Sequence, residues 1–275
     1  MSEKIPLVLF SGGLDSTAML WKYLQTTPVD VLYADGGQHP LKIKKELECR
    51  KRTIDYLNRV MPYKVQTDLR TDNNLSFATG PGNKYSQPMA WMVAALSVLD
   101  PTRHKSLSVG YVGDDGGFLR YIPNLYSVWE NMQILSKVGD AVPLIFPVVD
   151  NRKVDLLGAI PTELLDSIWV CEMPKSDDNN VVRACKTCTP CKLGAAVLHQ
   201  FEQENGYSIF SKKLVKQLRT AEEATRGPWK PRDMFAHQTR RVADDWTKDS
   251  SDSWYYSHPK KPTAQDSEPK LTDSN

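Results

Sequence analysis

Two groups of residues in this chain have the types and spacing to do chemistry. The first is SGGLDST at 11–17, directly after the apolar run IPLVLF at 5–10. Gly12 and Gly13 let a backbone approach an oxyanion closely, and Ser11, Ser16 and Thr17 bring hydroxyl donors. A helix beginning near Leu14 adds free N–H groups and the positive end of its dipole. A phosphate would repel Asp15 unless a cation stood between them, so the pattern implies a triphosphate carrying Mg2+. A plain strand-to-helix turn with hydroxyl caps is the alternative. The Walker spacing, with its lysine, is absent, and so is the G-x-G-x-x-G of dinucleotide folds.

The second group is C-x-x-C-x-x-C at Cys185, Cys188 and Cys191, with Cys171 fourteen residues upstream of the first. Four thiolates suit tetrahedral Zn2+ in a closed, structural site with no position left for water. An iron–sulfur cluster is the nearest competitor and a redox dithiol a weaker one. Cys49 lies apart, inside a charged helical stretch, and reads as a packed residue.

The elements that must position these groups alternate. Residues 5–10 form a buried strand, and Leu14, Ala18 and Trp21 continue at helical spacing. Residues 29–34 predict a second strand. Residues 41–61 predict a helix with Leu47, Ile54, Leu57 and Met61 on one face and charges outward. Strands at 63–69 and 106–112 bracket a polar loop at 71–87 and a helix at 88–99, and SIWVC at 167–171 is a further strand. This alternation predicts an α/β fold, a doubly wound and mostly parallel sheet with a small four-cysteine zinc-binding element. Ligands in such sheets sit at the carboxyl ends of the strands. The sequence divides into residues 1–225, with the cysteine element at 171–191, and a polar, aromatic-containing extension at 226–275. The last twenty or so residues of that extension read as disordered.

SGGLDST after an apolar strand resembles the PP-loop of the ATP-pyrophosphatase superfamily. That resemblance implies the adenine nucleotide alpha hydrolase type of sheet, and ATP cleaved to AMP and pyrophosphate as an acid is adenylated. The cysteine set, together with YADGGQHPLKIKKELE, VGYVGDD, RKVDLL and AIPTELLDSIWVC, is similar to the 7-cyano-7-deazaguanine synthase (QueC-type) family over roughly residues 5–200. The resemblance implies that residues 11–17, Leu14 included, hold ATP and that Lys153 meets developing phosphate charge. Asp115 would hold Mg2+ or the substrate ring, while Gln38 and His39 would face the substrate. It further implies 7-carboxy-7-deazaguanine and ammonia as substrates, a nitrile product and a homodimer. GGFLRYIPNLYS departs from the family's Tyr-Pro-Asp-Cys-Arg run, and GPGNKYSQP from its Pro-Gly-Arg-Asn. Another acid, a tRNA or a protein is the alternative acceptor. A binding module that does not turn over ATP is the alternative of another class.

Bulk composition agrees with a folded chain. Of 275 residues, 40% are apolar and 25% charged, enough for a sizeable core. A net charge of +2 argues against a nucleic-acid footprint. No apolar stretch is long enough to cross a bilayer, and MSEKIPLVLF lacks a signal-peptide layout, so the expected compartment is the cytoplasm.

Overall fold

The structure is a computed structural model that describes residues 3–35, 39–71, 86–114 and 121–205. The chain divides into two compact units, Met1–Pro231 and Arg232–Asn275, and every described residue belongs to the first. The extension read at 226–275 and most of the loop read at 71–87 lie outside the described residues.

Five strands make one parallel sheet. They are β1 (Ile5–Leu9), β2 (Val29–Ala34), β3 (Val65–Thr71), β4 (His104–Ser108) and β5 (Leu144–Ile145), in the order β3-β2-β1-β4-β5. β1 is central and all five of its residues are buried, as a continuous apolar run predicts. Pro6 cannot donate to the ladder, and the register against β4 slips between Ile5 and Pro6, where Lys105 is passed over. β3, at one edge, alternates between half-buried and exposed residues.

Side-chain alternation along β1 feeds two cores. Val8 and Phe10 join Met19 and Leu20 of α1 (Leu14–Tyr23) and its C-cap Leu24, Ile54 and Leu57 of α2 (Pro40–Val60), and residues of three later helices. Leu7 and Leu9 face the other way, onto Met92 and Ala95 of α3 (Ser86–Leu96) and Leu125 and Trp129 of α4 (Ile122–Leu135). The result is a three-layer α/β fold. After β5 come α5 (Lys153–Ala159), α6 (Thr162–Leu165), a short antiparallel pair β6 (Lys175–Ser176) and β7 (Val182–Arg183), and α7 (Thr189–Asn205). No described helix is long and apolar enough to cross a membrane.

Three expectations are corrected. The strand read at 106–112 runs from His104 to Ser108, because Gly110 turns in against α1. A Cβ there would stand 3.1 Å from Asp15 C and from Ser16 N and Cα. The segment read as a strand at 167–171 joins neither sheet. Its Trp169 N–H donates to Gly12 O at 3.0 Å, so it crosses the end of β1 instead of extending an edge. The charges of α2 do not all point outward, since Lys42, Glu46 and Arg50 are buried along one stripe. No element was anticipated at α4 or β5.

Candidate functional site

Strand order reverses about β1, whose two neighbours lead off in opposite directions, and the crevice beyond its carboxyl end is the expected ligand position. A cavity of about 330 Å3 lies there. Its floor is the glycine loop: Ser11, Gly13, Leu14, Asp15 and Ser16 all line it. Gly12 reaches φ +83, a left-handed conformation, and a Cβ on it would stand 3.3 Å from Arg50 Cγ and N. Glycine at this point therefore satisfies both backbone and packing. Gly13 caps α1 with φ −79 and ψ 173.

The loop is closed by its own hydroxyls. Gly13 N–H donates to Ser11 Oγ at 3.3 Å, Ser16 Oγ–H donates to Gly13 O at 3.3 Å, and the two Oγ atoms are 3.3 Å apart. Thr17, by contrast, is fully buried and does not line the cavity, and nor does Gly12.

Lys153 opens α5, and its Nζ stands 3.0 Å from Asp15 Oδ2, with each side chain about one-fifth exposed. The two come from 138 positions apart and meet on the cavity wall. Asp114 holds the lysine's backbone in place by accepting from Lys153 N at 2.7 Å. The two substrate residues read at Gln38 and Asp115 lie outside the described residues. His39 is exposed at the start of α2, where its Nδ1 accepts from Leu41 N at 3.2 Å as an N-cap, and it does not line the cavity.

One wall of the cavity carries charge that the sequence reading placed outside. Lys42 and Glu46 stand one turn apart with Nζ and Oε1 at 3.6 Å, and Lys42 also pairs with Glu172. Tyr33 O–H donates to Glu46 Oε2 at 2.8 Å. Burial pushes the Glu46 carboxyl above its usual range, against the pull of Lys42 and Tyr33. Burial and the Glu46 carboxylate push the Tyr33 phenol up as well, so it stays a hydrogen-bond donor. Arg50, 1% exposed, donates to Phe10 O and Asp68 and lies over the Phe10 and Tyr33 rings at 4.9 and 5.2 Å. It fixes the end of β1 from below. Trp91 and Tyr111, with ring centroids 5.8 Å apart and ring planes tilted by 36°, add an apolar aromatic wall.

The four cysteines converge at the rim. Their sulfurs all lie within 4.8 Å of one another, with Cys171 and Cys191 buried. Cys49 is buried beside them in the same small apolar cluster but outside the ligand set. Lys186, at φ 64, bends the chain so that backbone N–H groups point at sulfur. Cys185 N reaches Cys171 Sγ at 3.1 Å, and Thr187 N and Cys188 N reach Cys185 Sγ at 3.4 and 3.3 Å. Donors aimed at sulfur favour thiolate over thiol, the form that binds metal. Cys171 is accordingly held below the usual thiol range, first by the bond it accepts from the Cys191 side chain, and Cys191 as donor is pushed up. The donor set fits a metal ion.

No family model and no curated protein matches the chain. Among solved structures it is similar to the U34-tRNA thiolase NcsA from Methanococcus maripaludis with its 4Fe–4S cluster, at 13% identity and a TM-score of 0.38. The match covers 60% of this chain and 58% of that one, so the chain spans little more than half of that thiolase's length. A likeness of that depth carries no functional argument.

Proposed function

We propose that the protein is a PP-loop adenylating enzyme that uses Mg-ATP to activate a carboxylate as its AMP ester, releasing pyrophosphate. The observation that carries this reading is the meeting of Asp15 and Lys153, 3.0 Å apart, over a glycine loop at the carboxyl end of a central parallel strand. Such chemistry needs oriented N–H groups and a cation on the phosphates more than an acid or a base. The N–H groups at the start of α1 and the positive end of its dipole suit the phosphates. In this reading Lys153 takes the charge that grows on phosphate oxygen as the bond between the α-phosphorus and its bridging oxygen breaks. Asp15 would hold Mg2+, which supplies charge neutralisation when bound.

The acceptor in this reading is 7-carboxy-7-deazaguanine, on the motif resemblances of residues 5–200. Its carboxylate oxygen attacks the α-phosphorus and pyrophosphate leaves. Ammonia then attacks the acyl carbon, a proton is lost, and AMP departs to leave the amide. The amide oxygen then attacks the α-phosphorus of a second ATP and a second pyrophosphate leaves; loss of AMP and the two N–H protons gives the nitrile. The cavity volume of about 330 Å3 and the paired Trp91 and Tyr111 rings are compatible with bases of this size.

The four-cysteine site holds Zn2+ in this reading. A tetrahedron with Zn–S near 2.3 Å has edges of about 3.8 Å, inside the 4.8 Å limit observed. A cubane, whose four ligand sulfurs sit on four different irons, needs a wider spread.

Incubation with Mg-ATP, ammonium and 7-carboxy-7-deazaguanine tests the reading by mass spectrometry. AMP, pyrophosphate and the nitrile are expected. AMP that appears only with a different acid, a tRNA or a protein would replace the acceptor and keep the chemistry. An absence of nucleotide cleavage with every acceptor would leave a binding module.

A further inference from the structure

The segment 168–171, which runs from just past α6 up to the first cysteine of the set, Cys171, has backbone partners in neither sheet, yet it touches both candidate centres. Its Trp169 N–H donates to Gly12 O at 3.0 Å, at the one left-handed residue of the glycine loop. The Trp169 carbonyl oxygen lies 3.6 Å from where a Cβ on Gly13 would stand. The Trp169 indole, 4% exposed, points the other way, into the cluster of Cys49, Cys171, Val182 and Cys191. There its Nε1–H donates to Cys171 O at 2.9 Å. One residue past the cysteine, Glu172 pairs with Lys42 on the cavity wall. Beyond Cys191, Leu193 and Gly194 line the same cavity.

We infer that Trp169 is a positioning residue that couples the four-cysteine metal site to the glycine loop, so that metal occupancy sets the loop's geometry. The inference rests on reading the cysteines as a metal site and the loop as the nucleotide site. The loop is held from two sides. Arg50 grips Phe10 O from α2, an anchor carried by a 21-residue helix and not by the cysteine segment itself. Trp169 grips Gly12 O from a segment with no helix or sheet of its own, fixed upstream by α6 and downstream by Cys171. Beyond its ends, the segment is ordered by the packing of Ile168 in the main core and of Trp169 in the cysteine cluster, so its Trp169 half is as ordered as that cluster. With the metal bound, four sulfurs are drawn to one point and Cys171 is fixed. Without it, thiols in a small cluster supply little packing, and the Trp169 clamp loosens while the Arg50 clamp stays.

Hydrogen exchange on the full-length, metal-loaded protein, followed by mass spectrometry, tests this without requiring ATP to bind. Chelation should speed exchange in peptides covering 10–17 and 168–172 together by about tenfold or more, while β1 and β2 stay protected. The Trp169→Phe variant keeps the amide to Gly12 but loses the bond to Cys171 O. It should retain its metal by elemental analysis and still exchange roughly fivefold faster at 10–17, as for the loss of one net hydrogen bond. The variant decides the matter if the chelated chain loses its whole fold. Titration with Mg2+ and the α,β-methylene analogue of ATP should show weaker binding in both cases, and in turnover the KM for ATP should rise more than kcat falls. Unchanged exchange at 10–17 in the metal-loaded variant would overturn the coupling. Coupled exchange in a protein that binds no nucleotide would uphold the coupling and sink the adenylation reading instead.

Discussion

Asp15 and Lys153 are the pair on which the proposed chemistry turns, and each has a separable consequence. Asp15→Asn should abolish AMP formation and leave the metal content unchanged, because the carboxylate belongs to the loop and the cysteines to another segment. Lys153→Met should lower the rate of AMP formation by about 10²–10³, the usual effect of removing one group that stabilises transition-state charge, with melting temperature little changed. Both are read from AMP by chromatography beside elemental analysis. Asp30 gives the contrasting case of a charge that serves structure. It is 1% exposed at the opposite end of β2 and accepts from Arg103 Nε and Nη2 at 2.5 and 2.8 Å. His104 Nδ1 accepts from Asp100 N, so its Nε2 carries the proton and donates to Asp30 at 3.1 Å. Burial alone would raise this carboxyl, but Arg103 and His104 outweigh burial and hold it below its ordinary value of 3.8. A depressed carboxyl contributes stability above its unfolded pKa and loses it as pH falls through the folded one. Asp30→Asn should therefore cost about 2 kcal/mol at pH 7, and the gap to the parent should close below pH 3.8 in denaturant titrations.

At the scale of elements, the glycine loop depends on Gly12, whose left-handed backbone and close approach to Arg50 other residues meet only with strain. Gly12→Ala forces a side chain into a left-handed conformation and against Arg50, and should cost about 1–2 kcal/mol, a fall in melting temperature of a few degrees by calorimetry. The order β1, loop, α1 was legible because a continuous apolar run, small residues and a 3.6 period agree there. The strand at 29–34 was legible as an apolar run after the turn signal TTP, and that at 63–69 only through a weak alternation, as suits an edge strand. Other elements were hidden by polar residues facing inward. In α4 the apolar spacing of Leu125 and Trp129 is followed by Gln133, which is buried because its amide brackets Val142, donating to Val142 O at 3.1 Å and accepting from Val142 N at 2.7 Å. In α2 the stripe Lys42, Glu46, Arg50 has helical spacing, but charge suggested the solvent side, and only tertiary partners reveal that it faces in. The segment at 168–171 has the composition of a strand and lacks a strand to pair with. Its place is set by Gly12 and Cys171, which no local pattern reports.

For the molecule as a whole, a parallel sheet brings residues from distant positions to one end. Ser11, Asp15, Lys42, Lys153 and Glu172 converge on one cavity although they span most of the described chain. The cysteines, spread along the chain from Cys171 to Cys191, close into one ligand set at its rim. Their spacing was readable in advance; their link to the glycine loop was not, since it runs through Trp169. Elemental analysis should find about one zinc per chain, as four thiolates bind one ion. Iron with visible absorption would contradict that assignment. The central claim, that a carboxylate oxygen attacks the α-phosphorus of ATP over this loop, is tested most directly with 18O-labelled 7-carboxy-7-deazaguanine. Turnover with Mg-ATP and ammonium should place one 18O atom in each AMP released. Label confined to the acid, or cleavage to ADP and phosphate, would contradict it.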